Sequence, residues 1–334
     1  MRPEALRTDW MGEPVVLLRA GGWEAMLVPR IGGTLVSLRD AARRLDLLNA
    51  PADPAAFERR PRIYGIPVIF PPNRIRDGCF EANGRSYRLP ANSPEANHCH
   101  GLIGGLPWEV DETGSDAGAA WVEASRTERP GTEFHAVFPH EFTFVNRYRL
   151  TAAGLEHEVV IRNSGAEPMP TGVGLHTALR VPFAAGTPAH AARLRASVGQ
   201  RWELDGRSLP TGKLVPLSHI EQGYRQWGLP VQGFQIRDHY GAEPLTVDGA
   251  PFHGAILDDP VAGLRLCYQV GPRFAHWMIW NDSAAQGFVC PEPMSWAIDA
   301  PNLRLPASVT GMLSLAPGEE WRERLSIGVE PVSP

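Results

Sequence analysis

A chain of 334 residues with 34 glycines and 32 prolines, together about a fifth of the total against about 12% on average, is rich in turns and short elements. Hydrophobic residues at 43% and charged residues at 21% suffice to build a core and exclude a disordered chain. A net charge of −5 gives no electrostatic footprint for nucleic acid or an anionic membrane, so neither partner is expected.

From Met1 to Pro14 charges are interspersed throughout, which is not the pattern of a secretory signal. No run of 18 apolar residues occurs, so no transmembrane helix is expected and a cytoplasmic location is the default. Val15–Ala20, Glu24–Val28 and Thr34–Leu38 read as consecutive antiparallel strands separated by Gly21-Gly22 and by Pro29 to Gly33. Pro51–Arg60 is the best short helix. Phe142, Phe144, Asn146, Tyr148 and Leu150 alternate with polar positions and give one strand a mostly aromatic inner face. Thr151–Gly154 then turns into a second strand, Leu155 to Asn163. Pro182 to Pro188 reads as a loop with strand patterns on both sides, which favours one domain over residues 1–334. Repeated 10–15-residue helices are missing, so the fold class is all-β, mainly antiparallel, built as packed sheets. Cys79, Cys99, Cys267 and Cys290 contain no CxxC pair and read as free thiols. Lys213, the only lysine, lacks the Walker spacing, which argues against Schiff-base and P-loop chemistry.

Chemistry-bearing residues lie in four segments. Tyr64–Gly78 is apolar and interrupted by three prolines, so it cannot be a central strand; a fixed irregular loop there presents Asn73 and Arg74, or else Arg74 is a solvated arginine after a turn. In Asn97-His98-Cys99-His100-Gly101, two histidines at i, i+2 would share a strand face, but no third ligand is spaced to complete a metal site. His100, beside a glycine, is the better candidate for contacting a ligand, and His98 reads as structural. Asn163–His176 forms strand, turn and strand, reaching His176 just after Gly172 and Gly174. In Val289–Trp296, Glu292 stands between Pro291 and Pro293, as a stiffly held base or as a carboxylate in an exposed turn.

Asn73-Arg74-Ile75 with Gly78, His100-Gly101 with Trp108, Asn163-x-Gly before Gly174-x-His176, and Glu292-Pro293 with Asp299-Ala-Pro-Asn302 occur in one order along the chain. In that order and spacing the sequence resembles the aldose 1-epimerase (galactose mutarotase) family from the first Pro29 turn to Leu315-x-Pro-Gly318. The resemblance implies a large antiparallel β-sandwich with a sugar cleft on one sheet, and interconversion of the α and β anomers of a free aldose without metal or organic cofactor. It implies Glu292 as general base, His176 as general acid, and Arg74, His100, Asn73 and Asp238 as substrate-binding residues. Opening a hemiacetal ring requires a base at the anomeric hydroxyl and an acid at the ring oxygen, roles that a carboxylate and an imidazole can fill from two sides of a sugar. Trp296 or Trp108 is expected to cover an apolar sugar face.

One departure bears on the substrate. The family commonly continues from its histidine with proline and two aromatics, whereas His176 is followed by Thr177-Ala-Leu-Arg180. Arg180 reads as a solvent-exposed arginine on a strand or, if it points into the cleft, as a group that could bind an anionic sugar such as a hexose 6-phosphate or a uronic or sulfonated sugar. A sugar-phosphate or anionic-sugar 1-epimerase, which predicts several cleft arginines, and a non-catalytic carbohydrate-binding protein on the same scaffold are the alternatives. A glycoside hydrolase would need a second strong carboxylate. The expected partner is a small sugar, with the chain a monomer or homodimer.

Overall fold

The computed structural model describes residues 2–332. Two large sheets dominate, and every strand pair within them is antiparallel. One sheet runs in the spatial order Glu109–Ser115, Ala120–Glu128, Phe142–Thr151, Gly154–Asn163, Glu320–Pro331, Leu264–Val270, Gly254–Asp259, Arg193–Ala196 and Leu229–Pro230. The other runs Pro210–Val215, Val198–Leu204, Arg237–Ala242, His276–Trp280, Phe288–Met294, Gly174–Leu175 and Val68–Ile69. A five-stranded N-terminal sheet continues from Glu4–Trp10 through Glu13–Ala20, Trp23–Val28 and Thr34–Asp40 to Leu45–Asp46. This is the expected β-sandwich; the second to fourth strands lie where the apolar runs predict, and the edge strands Glu4–Trp10 and Leu45–Asp46 are additional to them.

The two large sheets face one another through the apolar side chains on their inner faces. Phe144, Tyr148 and Ile161 of the first sheet share one apolar cluster with Trp277, Ile279 and Val289 of the second. The polar member of the aromatic stripe, Asn146, is buried with its Oδ1 accepting a 3.0 Å bond from His157 Nε2. Burial pushes the His157 imidazole down to about 3, so the ring is neutral and the bond is between uncharged groups.

The predicted helix forms over Pro54–Arg59 only. Asp53 caps it, accepting from the Ala56 N–H at 2.7 Å, Pro54 occupies the first turn, and Phe57 alone is buried. Among the described residues no helix is long and apolar enough to cross a membrane. All four cysteines are free.

Candidate active site

Strand alternation and register account for the centre of the site. In Phe288–Met294, Val289 points into the inter-sheet core, so Cys290, Glu292 and Met294 lie on the opposite face. Gly174 pairs with Met294 and Leu179 with Val289, and stepping two residues inward from the first pair sets His176 opposite Glu292. Thr177, one residue on, faces inward and donates to the Tyr268 hydroxyl at 2.9 Å. On the other side Met278 is the register partner of Glu292.

The alternative of an exposed turn at Glu292 is therefore wrong. Glu292 is 1% exposed in a fully buried central strand, despite its two prolines. Backbone direction explains the tolerance. Val181 N donates to Gly287 O and Ser295 N to Val173 O, so the odd-numbered residues turn their backbone groups toward the 173–181 segment. Pro291 and Pro293 share that direction and supply no donor. Pairing with that segment accordingly survives only at its ends, at Gly174 and at Leu179–Arg180, with His176 in the interruption.

The loops bring in the next residues. Arg74–Ile75 pairs with His98–Cys99. Asn73, at φ 54, folds its Oδ1 back to accept from Arg74 N at 3.1 Å and from Arg74 Nη1 at 2.9 Å, while its carbonyl accepts from His100 N at 2.8 Å. Gly101 is obligatory at φ 65, because a Cβ there would lie 1.8 Å from the Phe70 carbonyl oxygen. Asp299 clamps this loop from the far side. Its N–H donates to Arg74 O at 2.9 Å, and its Oδ1 accepts from Arg76 N at 2.9 Å and Asn302 Nδ2 at 2.7 Å.

These residues surround a cleft of about 950 Å³ lined by Asn73, Arg74, His100, His176 and Glu292. His176 Nε2 lies 3.2 Å from Glu292 Oε1, and the His100 and Trp280 rings meet the His176 ring edge-on at 5.1 and 5.4 Å. Burial drives the Glu292 carboxyl well above its ordinary range, opposed by the Arg74 charge. The same burial, aided by Arg62, pushes His176 down to about 3, and His100 is lowered well below its usual value by burial and by His176. Both shifts oppose charge, so burial favours the uncharged form of the Glu292–His176 pair. Glu292 Oε2, His176 Nδ1, His100 Nδ1 and Arg74 Nε are buried without a hydrogen-bond partner among the described residues. Unpaired buried polar atoms cost about 1–3 kcal/mol each, so four at one place mark where a polar ligand belongs.

Other expectations are corrected. His98 and His100 do not share a face: His98 Nδ1 donates to Pro90 O at 2.7 Å, whereas His100, at φ 67, turns into the cleft. Asp238 does not line the cleft. It pairs with Ile279, whose side chain faces the core, and its neighbour Arg237 is the cleft residue. Trp296 is buried beneath the site, its Nε1 donating to Pro72 O at 3.4 Å, and Trp108 packs on Phe144 and Gly33. The aromatic in the cleft is Trp280, one step along the strand from the core residue Ile279 and so on the opposite face; this strand is not among those singled out from the sequence. Arg180 is the solvent-exposed strand arginine of the first alternative: it pairs with Phe288 and does not line the cleft. The cleft arginines are Arg59, Arg60 and Arg62, from the helix and the turn after it, with Arg74 and Arg237.

The aldose 1-epimerase family model matches residues 14–328. The chain belongs to the aldose 1-epimerase family. A galactose mutarotase-like protein from Clostridium acetobutylicum is 31% identical, superimposes with a TM-score of 0.96, and is covered over 99% of both chains. A galactose 1-epimerase from Lactobacillus acidophilus, at 13% identity and a TM-score of 0.75 over 100% of both chains, shares the fold. The uncharacterized protein YihR of Escherichia coli K12 is 29% identical over 164 residues, so the match spans 48% of this aldose 1-epimerase family member and 48% of YihR.

Proposed function

We propose that this protein interconverts the α and β anomers of a free aldose, with Glu292 as general base and His176 as general acid. The observation that carries the reading is the 3.2 Å contact between the two groups at the cleft, each with a further buried atom left unpaired.

The anomeric hydroxyl oxygen and the ring oxygen are bonded to the same carbon, so an adjacent acid and base suit them better than groups on opposite walls. On this reading the two groups act side by side rather than from two sides of the sugar. In the ion-pair form of the couple, the Glu292 carboxylate takes the hydroxyl proton, the carbonyl forms at C1, the C1–O5 bond breaks, and imidazolium His176 gives its proton to O5. Rotation about C1–C2 presents the other carbonyl face. The O5 hydroxyl then attacks C1, returning its proton to His176, and Glu292 gives its proton to the new anomeric oxygen. One proton on the couple serves both directions and the couple ends as it began. Burial favours the uncharged form, and Arg74 supplies the opposing pull that makes the carboxylate accessible. Arg74, His100 and Asn73 are assigned to the sugar hydroxyls, and Trp280 to an apolar sugar face.

Polarimetry or NMR exchange with fresh α-glucose, α-galactose and glucose 6-phosphate tests the reading. Glu292→Gln keeps the shape, removes the base, and is expected to lower the enzymatic rate by about 10²- to 10⁴-fold. Unchanged anomer exchange in that variant would remove Glu292 from the mechanism. No acceleration by the wild type with any aldose, charged or neutral, would leave the binding-protein alternative in its place.

A further inference from the structure

The cleft charge is of the wrong sign for the rest of the chain. Five arginines line it: Arg59, Arg60, Arg62, Arg74 and Arg237. The carboxyl groups there are Glu95, Glu133, Asp282 and Glu292. Burial drives Glu292 and both cleft histidines toward their uncharged forms, so five arginines outnumber the carboxylates facing them in a protein whose net charge is −5.

The arginines divide into two kinds. Arg60 holds Asp282 with two bonds of 3.0 and 2.9 Å, and Arg237 holds Glu95 at 2.9 Å. The Arg60–Asp282 pair fastens the turn Pro61–Ile63 against the loop after His276–Trp280, and Asn49 Nδ2 donates to Ile63 O at 2.6 Å on its other side. Arg59 and Arg62 flank that fixed point. Both are exposed in the cleft, and neither guanidinium has a carboxylate or carbonyl partner among the described residues. Arg74 adds a buried guanidinium with no carboxylate bonded to it and its Nε unpaired.

We propose that the substrate is an aldose carrying an anionic group away from its anomeric centre, a carboxylate, sulfonate or phosphate, and that Arg62, with Arg59 beside it, binds that group. The inference rests on the epimerase reading for the sugar and on the unpaired arginines for the charge. Arg62 is the leading charge opposing protonation of His176, and the acid step requires that protonation. An anion on Arg62 cancels the opposing charge, so an anionic substrate helps to arm the acid that acts on it. Arginine's planar fork matches all three oxyanions, and a neutral hexose would leave two guanidinium groups unmatched.

The test compares anomer exchange of glucose and galactose with that of glucuronate, glucose 6-phosphate and 6-deoxy-6-sulfoglucose, for wild type, Arg62→Ala and Arg62→Lys, and measures binding of the same sugars to Glu292→Gln. Wild type should favour at least one anionic sugar over glucose in kcat/KM by about tenfold or more, the scale of a charge-assisted contact. Arg62→Ala should collapse that ratio, Arg62→Lys restore part of it, and added salt weaken the anionic sugar selectively. The three anions separate the sources by size and charge. Equal or better turnover of neutral sugars by wild type, or an anionic-to-neutral ratio untouched by Arg62→Ala, overturns the proposal and leaves the epimerase reading intact. Tight binding of an anionic sugar through Arg62 without turnover of any sugar overturns the epimerase reading and leaves the anion site standing. Neither binding nor turnover of any of the sugars overturns both.

Discussion

Gly172 and Trp296 couple the stability of the sandwich to the geometry of the cleft. A Cβ added at Gly172 would lie 2.1, 2.3 and 2.5 Å from three indole atoms of Trp296, well inside the 3.4–4 Å of ordinary contact. The indole is 1% exposed and donates to Pro72 O, while Ser295 beside it exchanges bonds of 2.9 and 2.8 Å with Val173, so the ring has no free direction in which to swing. Overpacking of this kind costs about 1–3 kcal/mol, and a clash with three rigid ring atoms belongs at the upper end, about 3 kcal/mol. At about 2.1 cal/mol/K per residue, a chain of this length loses about 4 °C in Tm. Displacing Trp296 also moves Pro72, two residues before Arg74, so KM should rise along with the loss of stability. Urea unfolding of Gly172→Ala, Trp296→Leu and the double variant provides the assay. Removing the indole takes away the atoms the new methyl strikes, so the double variant should be more stable than the sum of the singles by about 1 kcal/mol or more. Gly172→Ala unfolding within 0.5 kcal/mol of wild type, about the usual scatter of neutral substitutions, or strict additivity of the two changes, would refute the packing argument.

Two further predictions concern titration and the cleft aromatic. Burial holds folded His157 down to about 3, whereas the unfolded chain titrates at about 6.5, so the unfolded state binds more protons as pH falls. That contribution is present above about 6.5 and shrinks on acidification by about 2 kcal/mol at pH 5. His157→Gln should therefore lose correspondingly less stability than wild type between pH 7.5 and 5 in urea titrations, and parallel losses would contradict it. Trp280→Ala should raise KM for the preferred sugar by about tenfold, the value of an aromatic contact of about 1.4 kcal/mol, and an unchanged KM would remove Trp280 from the binding surface.

The motif positions Arg74, His100, His176 and Glu292 were legible in the sequence because each stands beside glycines or prolines that mark a special backbone, and all four meet in the cleft. Asp238 was misplaced by one residue. In a strand a single step reverses the face, and the composition of Arg237-Asp238-His239 does not say which face is inward until Ile279 is known to be its partner. Trp296 and Trp108 are indistinguishable by type from Trp280, and only packing shows which one borders open space.

By itself the sequence determined the β-rich class, the order of the N-terminal strands, the aromatic stripe from Phe142 to Leu150 and the family, because alternation and turn chemistry are local properties. The tertiary structure decided that His176 and Glu292 touch, that Pro291 and Pro293 lie in a central strand, and that Arg62 rather than Arg180 shares the cleft. Those facts depend on pairings between segments more than 100 residues apart in sequence, or on the path of a turn across a sheet. Contacts of that kind are set by the joint packing of the whole chain, and no local pattern encodes them.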